Sequence, residues 1–177
     1  MSPFGTPALT INEAISRLQI PSLLILKTSH YYESPAFPAG SGPNFVNAVV
    51  AMQSEMRATD LLAHLHRIEE EMGRERHKRW AARTIDLDLI AYGQNVLPDH
   101  ATFDLWRGLD LEAQMARAPD GLVLPHPRMQ DRAFVLRPLC DVAPDWQHPV
   151  LGRSAAQLLA ACPQADNDAL IRLSELE

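Results

Sequence analysis

Residues 84–89 run Thr-Ile-Asp-Leu-Asp-Leu, a strict alternation of polar and apolar side chains. Successive side chains on a strand point to opposite faces. The pattern therefore predicts a strand over residues 84–92, ended by Gly93, with Ile85, Leu87 and Leu89 turned to a core and Asp86 and Asp88 together on the other face. A chain carrying such a strand needs a sheet with one covered face.

The flanking segments complete an order of elements. Thr10-Ile11-Asn12-Glu13 reads as a capping box for a helix that carries Ile11, Ala14, Ile15 and Leu18 and ends near Pro21. Residues 23–32 read as a strand. Residues 34–43, with three prolines and two glycines, read as a loop. Residues 45–56 read as a second strand paired with the first. Thr59 is placed to cap a second helix, with Leu61, Leu62, Leu65, Ile68 and Met72 on its apolar face and Gly73 as terminator. Short helices are predicted over 105–117, 132–139 and 154–161, with Pro125-His126-Pro127 as a rigid loop. Helix, strand, strand, helix, strand becomes β-α-β-β-α-β once a strand stands in front. That is a ferredoxin-like α+β sandwich, an antiparallel sheet with helices on one face. A length of 177 residues suits a single domain over 1–177.

Two carboxylates on one strand face raise each other's cost of ionising, and a divalent cation relieves it. Mg²⁺ takes one or two protein carboxylates and completes its octahedron with phosphate and water. Two surface acids on a solvated strand give the same pattern, so spacing alone leaves both readings open. Directly upstream, residues 74–83 hold five cations and one acid. Arginine forks match phosphate oxygens, so this loop beside paired acids suits a metal-bound polyphosphate; by itself it is also a solvated charged loop. Phe45 and Asn47 share a strand face, and Phe134 lies far downstream. Two phenyl faces clamp a flat heteroaromatic ring while an amide reads its edge, though phenylalanines also make plain core. His66 and Glu69 lie one helical turn apart, and His126 is fixed between two prolines. Each could hold a ligand, or be a polar stripe and a rigid turn. No Walker A, GxGxxG, GxSxG or HExxH sequence is present.

A net charge of −6 does not suit a nucleic-acid backbone or an anionic membrane, so any anionic ligand needs a local cationic patch. Cys140 and Cys162 lack CxxC spacing, which argues against zinc and for free thiols. Residues 1–7 carry no basic residue and no apolar run, and the longest apolar stretch, 23–26, is too short to span a bilayer. A cytoplasmic protein is expected.

On these residues the chain resembles the 6-hydroxymethyl-7,8-dihydropterin pyrophosphokinases. Arg79-Trp80-Ala81-Ala82-Arg83-Thr84-Ile85-Asp86-Leu87-Asp88-Leu89-Ile90 is similar to that family's signature. Tyr32-Glu33-Ser34-Pro35, Pro43-Asn44-Phe45-Val46-Asn47-Ala48, Ile68-Glu69 with Gly73-Arg74, Leu124-Pro125-His126-Pro127 and Arg132-Ala133-Phe134 are family-like pieces in the family's order. The resemblance implies transfer of pyrophosphate from ATP to 6-hydroxymethyl-7,8-dihydropterin with two Mg²⁺ ions. It implies Asp86 and Asp88 as metal ligands and, with Arg74, Arg76 and Arg83, as the catalytic set. Around ATP it implies His66, Glu69, Arg74, Arg76, Arg83, His126 and Arg132. Around the pterin it implies Ser34, Pro35, Phe37, Phe45, Asn47, Trp80 and Phe134, with Phe45 and Phe134 sandwiching the ring.

The sequence departs from the family pattern at Phe45 (often Tyr), at His66 (commonly Gln), in a shorter 76–80 loop and in a longer 94–124 segment. The family also opens with an apolar strand running into Gly-Ser-Asn, whereas this sequence opens Met1-Ser2-Pro3-Phe4-Gly5. If Met1 is the true first residue, the expectation is a sheet short of one strand, with open edges, low stability and weak catalysis; if the natural chain starts further upstream, the strand and its loop are restored. The alternative is a non-catalytic nucleotide- and pterin-binding homologue. An RNA-binding sheet would need stacking aromatics and a basic face where Asp86 and Asp88 stand. No nucleic-acid or membrane partner is expected, and the sequence leaves monomer or dimer open.

Overall fold

A computed structural model of the chain describes residues 4–36, 42–73 and 84–174. Helix α1 (Pro7–Arg17) starts at Thr6, whose Oγ1 accepts from Leu9 N at 3.3 Å, with Pro7 in the first turn. A proline there gives up an N–H that has no helical partner anyway. The expected cap, Thr10, lies inside the helix and donates its hydroxyl to Thr6 O at 3.0 Å, while Glu13 pairs with Arg17 at 2.8 Å. The capping-box reading is corrected: Thr6-Pro7 starts the helix earlier.

Helix α2 (Ala58–Glu71) is capped at Arg57, not Thr59, without a side-chain cap bond. Arg57 forks onto Asp60 at 2.8 and 3.0 Å, which leaves an acid in the first turn where the helix dipole favours it. Gly73, at φ +90°, ends the helix as expected. Ala14 and Leu18 from α1 pack on Leu65, Ile68 and Met72 from α2, and this cluster covers Ile25 and Met52 of the strands and Ile85, Leu87 and Leu89.

Each expected long strand breaks in two. Residues 23–32 give β1 (Leu23–Thr28) and β2 (Tyr32–Ser34), and residues 45–56 give β3 (Phe45–Asn47) and β4 (Val50–Ser54). The antiparallel pairing holds, β1 with β4 and β2 with β3. At the break Ser29 N donates to Val49 O at 2.9 Å, and Ser29 Oγ accepts from Val49 N at 2.9 Å. A hydroxyl thus replaces a ladder carbonyl, and the chain passes from one sheet to the other. A short strand, β5 (Ile171–Arg172), pairs with the other edge of β2.

Residues 84–92 differ most from expectation, because among the described residues they join no ladder. Their apolar side packs as the alternation predicts, with Asp86 and Asp88 exposed. Their backbone is held otherwise: Leu87 N donates to the buried Glu69 carboxylate, and Ile90 O accepts from His126 N, each at 2.8 Å. Side-chain alternation fixes a buried face, whereas a ladder needs an adjoining strand, and among the described residues β1 and β4 pair only with each other.

Downstream, the single helix expected over 105–117 is two, α3 (His100–Arg107) and α4 (Leu111–Ala116), parted at Gly108. Asp99 and Asp110 cap them, accepting from Thr102 N and Ala113 N at 2.8 Å each. Then come α5 (Ala133–Val142), α6 (Ala155–Ala161) and α7 (Gln164–Asp168). Met129, Leu136, Leu139, Ala155 and Leu158 form their core. The class is α+β, antiparallel sheets with helices, as the sequence implied. No described helix is long and apolar enough to cross a membrane.

Candidate active site

The site is built on residues 84–90. Asp86 and Asp88 flank Leu87, whose amide is held by Glu69 Oε1 from α2 at 2.8 Å. Glu69 is fully buried, so α2 fixes the backbone between the two aspartates while their side chains stay exposed. His66, one turn earlier on α2, is half-buried.

A second loop meets this segment. His126 N is tied to Ile90 O, and the loop is anchored by buried Leu124, Pro125 and Met129. His126 Nδ1 accepts from Arg128 N at 3.2 Å, so in the neutral ring Nε2 carries the proton. Burial pushes this imidazole down to about 4, and the Arg132 and Arg128 cations push the same way, against a pull from Asp86. At neutral pH His126 is therefore an uncharged donor. Burial also lowers Arg132, as does Arg128, while Asp88 and Asp86 draw it back up; Arg128 is lowered by burial and raised by Asp88. Both remain guanidinium ions. The Arg132 guanidinium sits 5.6 Å from the Phe134 ring centroid.

The third part lies on β2, β3 and α5. Asn47 faces Tyr32 and Phe45 faces Ser34 across the ladder. Asn47 Nδ2 donates to Ser34 Oγ at 2.9 Å and to Tyr32 O at 3.3 Å. Phe45 is 53% exposed, an unburied ring on a strand. Pro35 is exposed and Ser34 buried. Phe134 is half-buried on α5, which packs against both β2 and β3. Asp141 fixes that packing: it accepts from His30 N at 3.1 Å, His30 Nδ1 at 2.9 Å and Tyr32 Oη at 3.0 Å. Burial works to raise its carboxyl, but the His30 and Tyr32 bonds outweigh this and hold it below the ordinary value.

Asp86, Asp88, Glu69, His126 and Arg132 thus come together on one side, and Ser34, Asn47, Phe45 and Phe134 sit on neighbouring elements. Phe37, Arg74, Arg76, Trp80 and Arg83 lie outside the described residues. Sequence reasoning missed Arg128 and Asp141. Arg128 had a signal, a cation one residue past a proline-locked turn. Asp141 had none, since its partners lie over 100 residues away. Among the described residues no group of three or more His, Cys, Asp or Glu gathers for a metal. Two exposed carboxylates fit an ion such as Mg²⁺ that draws its other ligands from phosphate and water.

Carboxylates opposed by guanidinium groups define a class, an α+β protein suited to a metal-bound polyphosphate. Residues 2–144 match the profile of 7,8-dihydro-6-hydroxymethylpterin-pyrophosphokinase (HPPK). The chain is 37% identical over 163 residues to the 2-amino-4-hydroxy-6-hydroxymethyldihydropteridine pyrophosphokinase of Pseudomonas aeruginosa, covering 92% of this chain and 88% of that protein. For the enzyme of the same name in Haemophilus influenzae the identity is 31% over 145 residues, covering 81% and 78%. It is also 34% identical over 155 residues to the folic acid synthesis protein fol1 of Pneumocystis carinii, covering 88% of this chain and 18% of that longer protein. The chain therefore belongs to the HPPK family, the pyrophosphokinases of folate biosynthesis.

Proposed function

We propose that this chain, acting as one domain in the cytoplasm, transfers pyrophosphate from ATP to 6-hydroxymethyl-7,8-dihydropterin. The observation that carries this is the Asp86–Asp88 pair, clamped through Leu87 by Glu69 and facing His126, Arg128 and Arg132. The pterin hydroxymethyl oxygen attacks the β-phosphorus of ATP. The new O–P bond forms as the bond to the bridging α–β oxygen breaks, AMP leaves, and the hydroxyl proton passes to water.

Asp86 and Asp88 would hold magnesium, which when bound neutralises phosphate charge. The chain's own groups supply the rest by positioning and electrostatics. His126 donates Nε2–H as a neutral group, so it orders a phosphate oxygen without adding to the repulsion between neighbouring cations. Arg132 offers a guanidinium to the same oxygens. Arg74, Arg76 and Arg83 would cover the triphosphate from the basic loop, and His66 would lie at the nucleotide. Glu69 acts through Leu87, setting the spacing of the two aspartates. Phe45 and Phe134 would sandwich the pterin, Asn47 would read its edge, and Ser34, Pro35, Phe37 and Trp80 would line its pocket.

Asp86→Ala and Asp88→Ala test this reading. Each should abolish turnover at saturating Mg²⁺ and leave the circular dichroism spectrum and melting temperature near wild type. Normal turnover in either variant would refute the assignment.

A further inference from the structure

Helix α4 reaches the site through Gln114. The Gln114 carbonyl accepts from Arg128 Nη2 at 2.8 Å, and the Gln114 side chain donates back to Leu109 O at 2.7 Å. Gln114 stands in the last turn of α4, where carbonyls without helical partners carry partial negative charge. The Arg128 backbone is fixed too. Its N–H is bound to His126 Nδ1, its neighbours Pro127 and Met129 are buried, and His126 N is tied to Ile90 O, two residues past Asp88.

We infer that Arg128 binds the polyphosphate of the nucleotide, and that α4 serves as the brace that sets its guanidinium for this before the ligand arrives. The inference rests on the pyrophosphokinase reading and adds to it one residue and a purpose for the long 94–124 segment. A guanidinium has five N–H donors in a rigid fork. The Gln114 carbonyl occupies one, which orients the group and leaves others for phosphate oxygens. Holding the side chain in place beforehand reduces the entropy lost on binding. Arg128 and Arg132 also repel one another, and a bound polyanion relieves that repulsion.

The test uses the whole chain with Mg²⁺ and three probes titrated separately: an ATP analogue with a methylene bridge between the α- and β-phosphorus, AMP, and hydroxymethylpterin. Arg128→Ala should weaken the analogue at least tenfold and change AMP and pterin binding less than twofold. Arg128→Lys should recover only part of the loss, because a compact ammonium on a flexible stem lacks the rigid fork that holds Gln114 O and a phosphate oxygen together. Gln114→Gly loosens the last turn of α4 and should weaken the analogue by a smaller factor. Unchanged analogue binding in Gln114→Gly would overturn the brace. Equal losses for all three probes in Arg128→Ala, with a lower melting temperature, would mean a purely structural arginine and overturn the inference. An active wild type with unchanged analogue binding in Arg128→Ala sinks the Arg128 assignment alone. A wild type that neither binds the analogue nor releases AMP sinks the pyrophosphokinase reading, and Arg128 with it.

Discussion

His148 has no exposed surface and lies between the rings of Phe103 and Trp146, at 5.5 and 5.6 Å. Its Nδ1 accepts from Val150 N at 3.3 Å and Leu151 N at 3.2 Å, so the neutral ring keeps its proton on Nε2. Burial, and then the Arg107 cation, push it down to about 4. In the unfolded chain it titrates at its ordinary value near 6.5. Below that value the unfolded state takes up the proton first. Its contribution to stability is complete above about pH 6.5 and is lost as pH falls toward 4, on the order of 3 kcal/mol in all. His126 adds a loss of the same sign. His148→Asn keeps an acceptor but cannot titrate, so it should flatten the fall between pH 7.5 and 5 without removing it. Urea midpoints at the two pH values would show this, and an equal fall in both proteins would contradict it. Residues of this kind divide by how far their meaning reaches along the chain. The exposed face of Asp86 and Asp88 and the rigid backbone around His126 were legible because alternation and flanking prolines set them locally. Asp141 was not, because its role depends on His30 and Tyr32 meeting it in space.

At the scale of elements, helix starts separate short-range chemistry from pattern. Thr6 accepts a backbone bond at the start of α1, whereas Thr59 makes no cap bond in α2. Thr6→Ala should therefore cost about 1 kcal/mol, whereas Thr59→Ala should be neutral or gain a few tenths, because alanine is the better helix former. Thermal unfolding would check the order, and a larger loss at Thr59 would reverse it. Glu69 ties two elements together. Glu69→Ala strands the Leu87 amide, which should cost about 1–3 kcal/mol and lower turnover. Retained turnover would show that the spacing of the aspartates does not depend on this bond. The alternation in 84–92 predicted the buried side correctly but not the absence of a ladder, because pairing is a property of two segments. The break at Ser29 turns on one hydroxyl, the split of α3 from α4 on Gly108, and α7 and β5 are too short to show a period.

Across the whole molecule, the groups proposed for the two ligands fall in two regions. Residues 84–90 and 126–132 gather charge, while β2, β3 and α5 offer rings and an amide. The α+β class and the family were readable because both depend on ordered motifs spread over most of the chain. The division into two sheets and the α4 contact to Arg128 were not, because both arise only when distant segments meet. If the regions are distinct, Phe134→Ala should weaken pterin binding by about 1–3 kcal/mol and leave ATP binding nearly unchanged. Calorimetric titration of each ligand would show it, and equal losses would count against the ring sandwich. The transfer itself can be followed with ATP labelled at the β-phosphorus. With Mg²⁺ and 6-hydroxymethyl-7,8-dihydropterin, the chain should release one AMP for each pterin consumed and carry the label into the pterin pyrophosphate, with no AMP when the pterin is left out. ADP as the nucleotide product, or AMP released equally with and without the pterin, would contradict it.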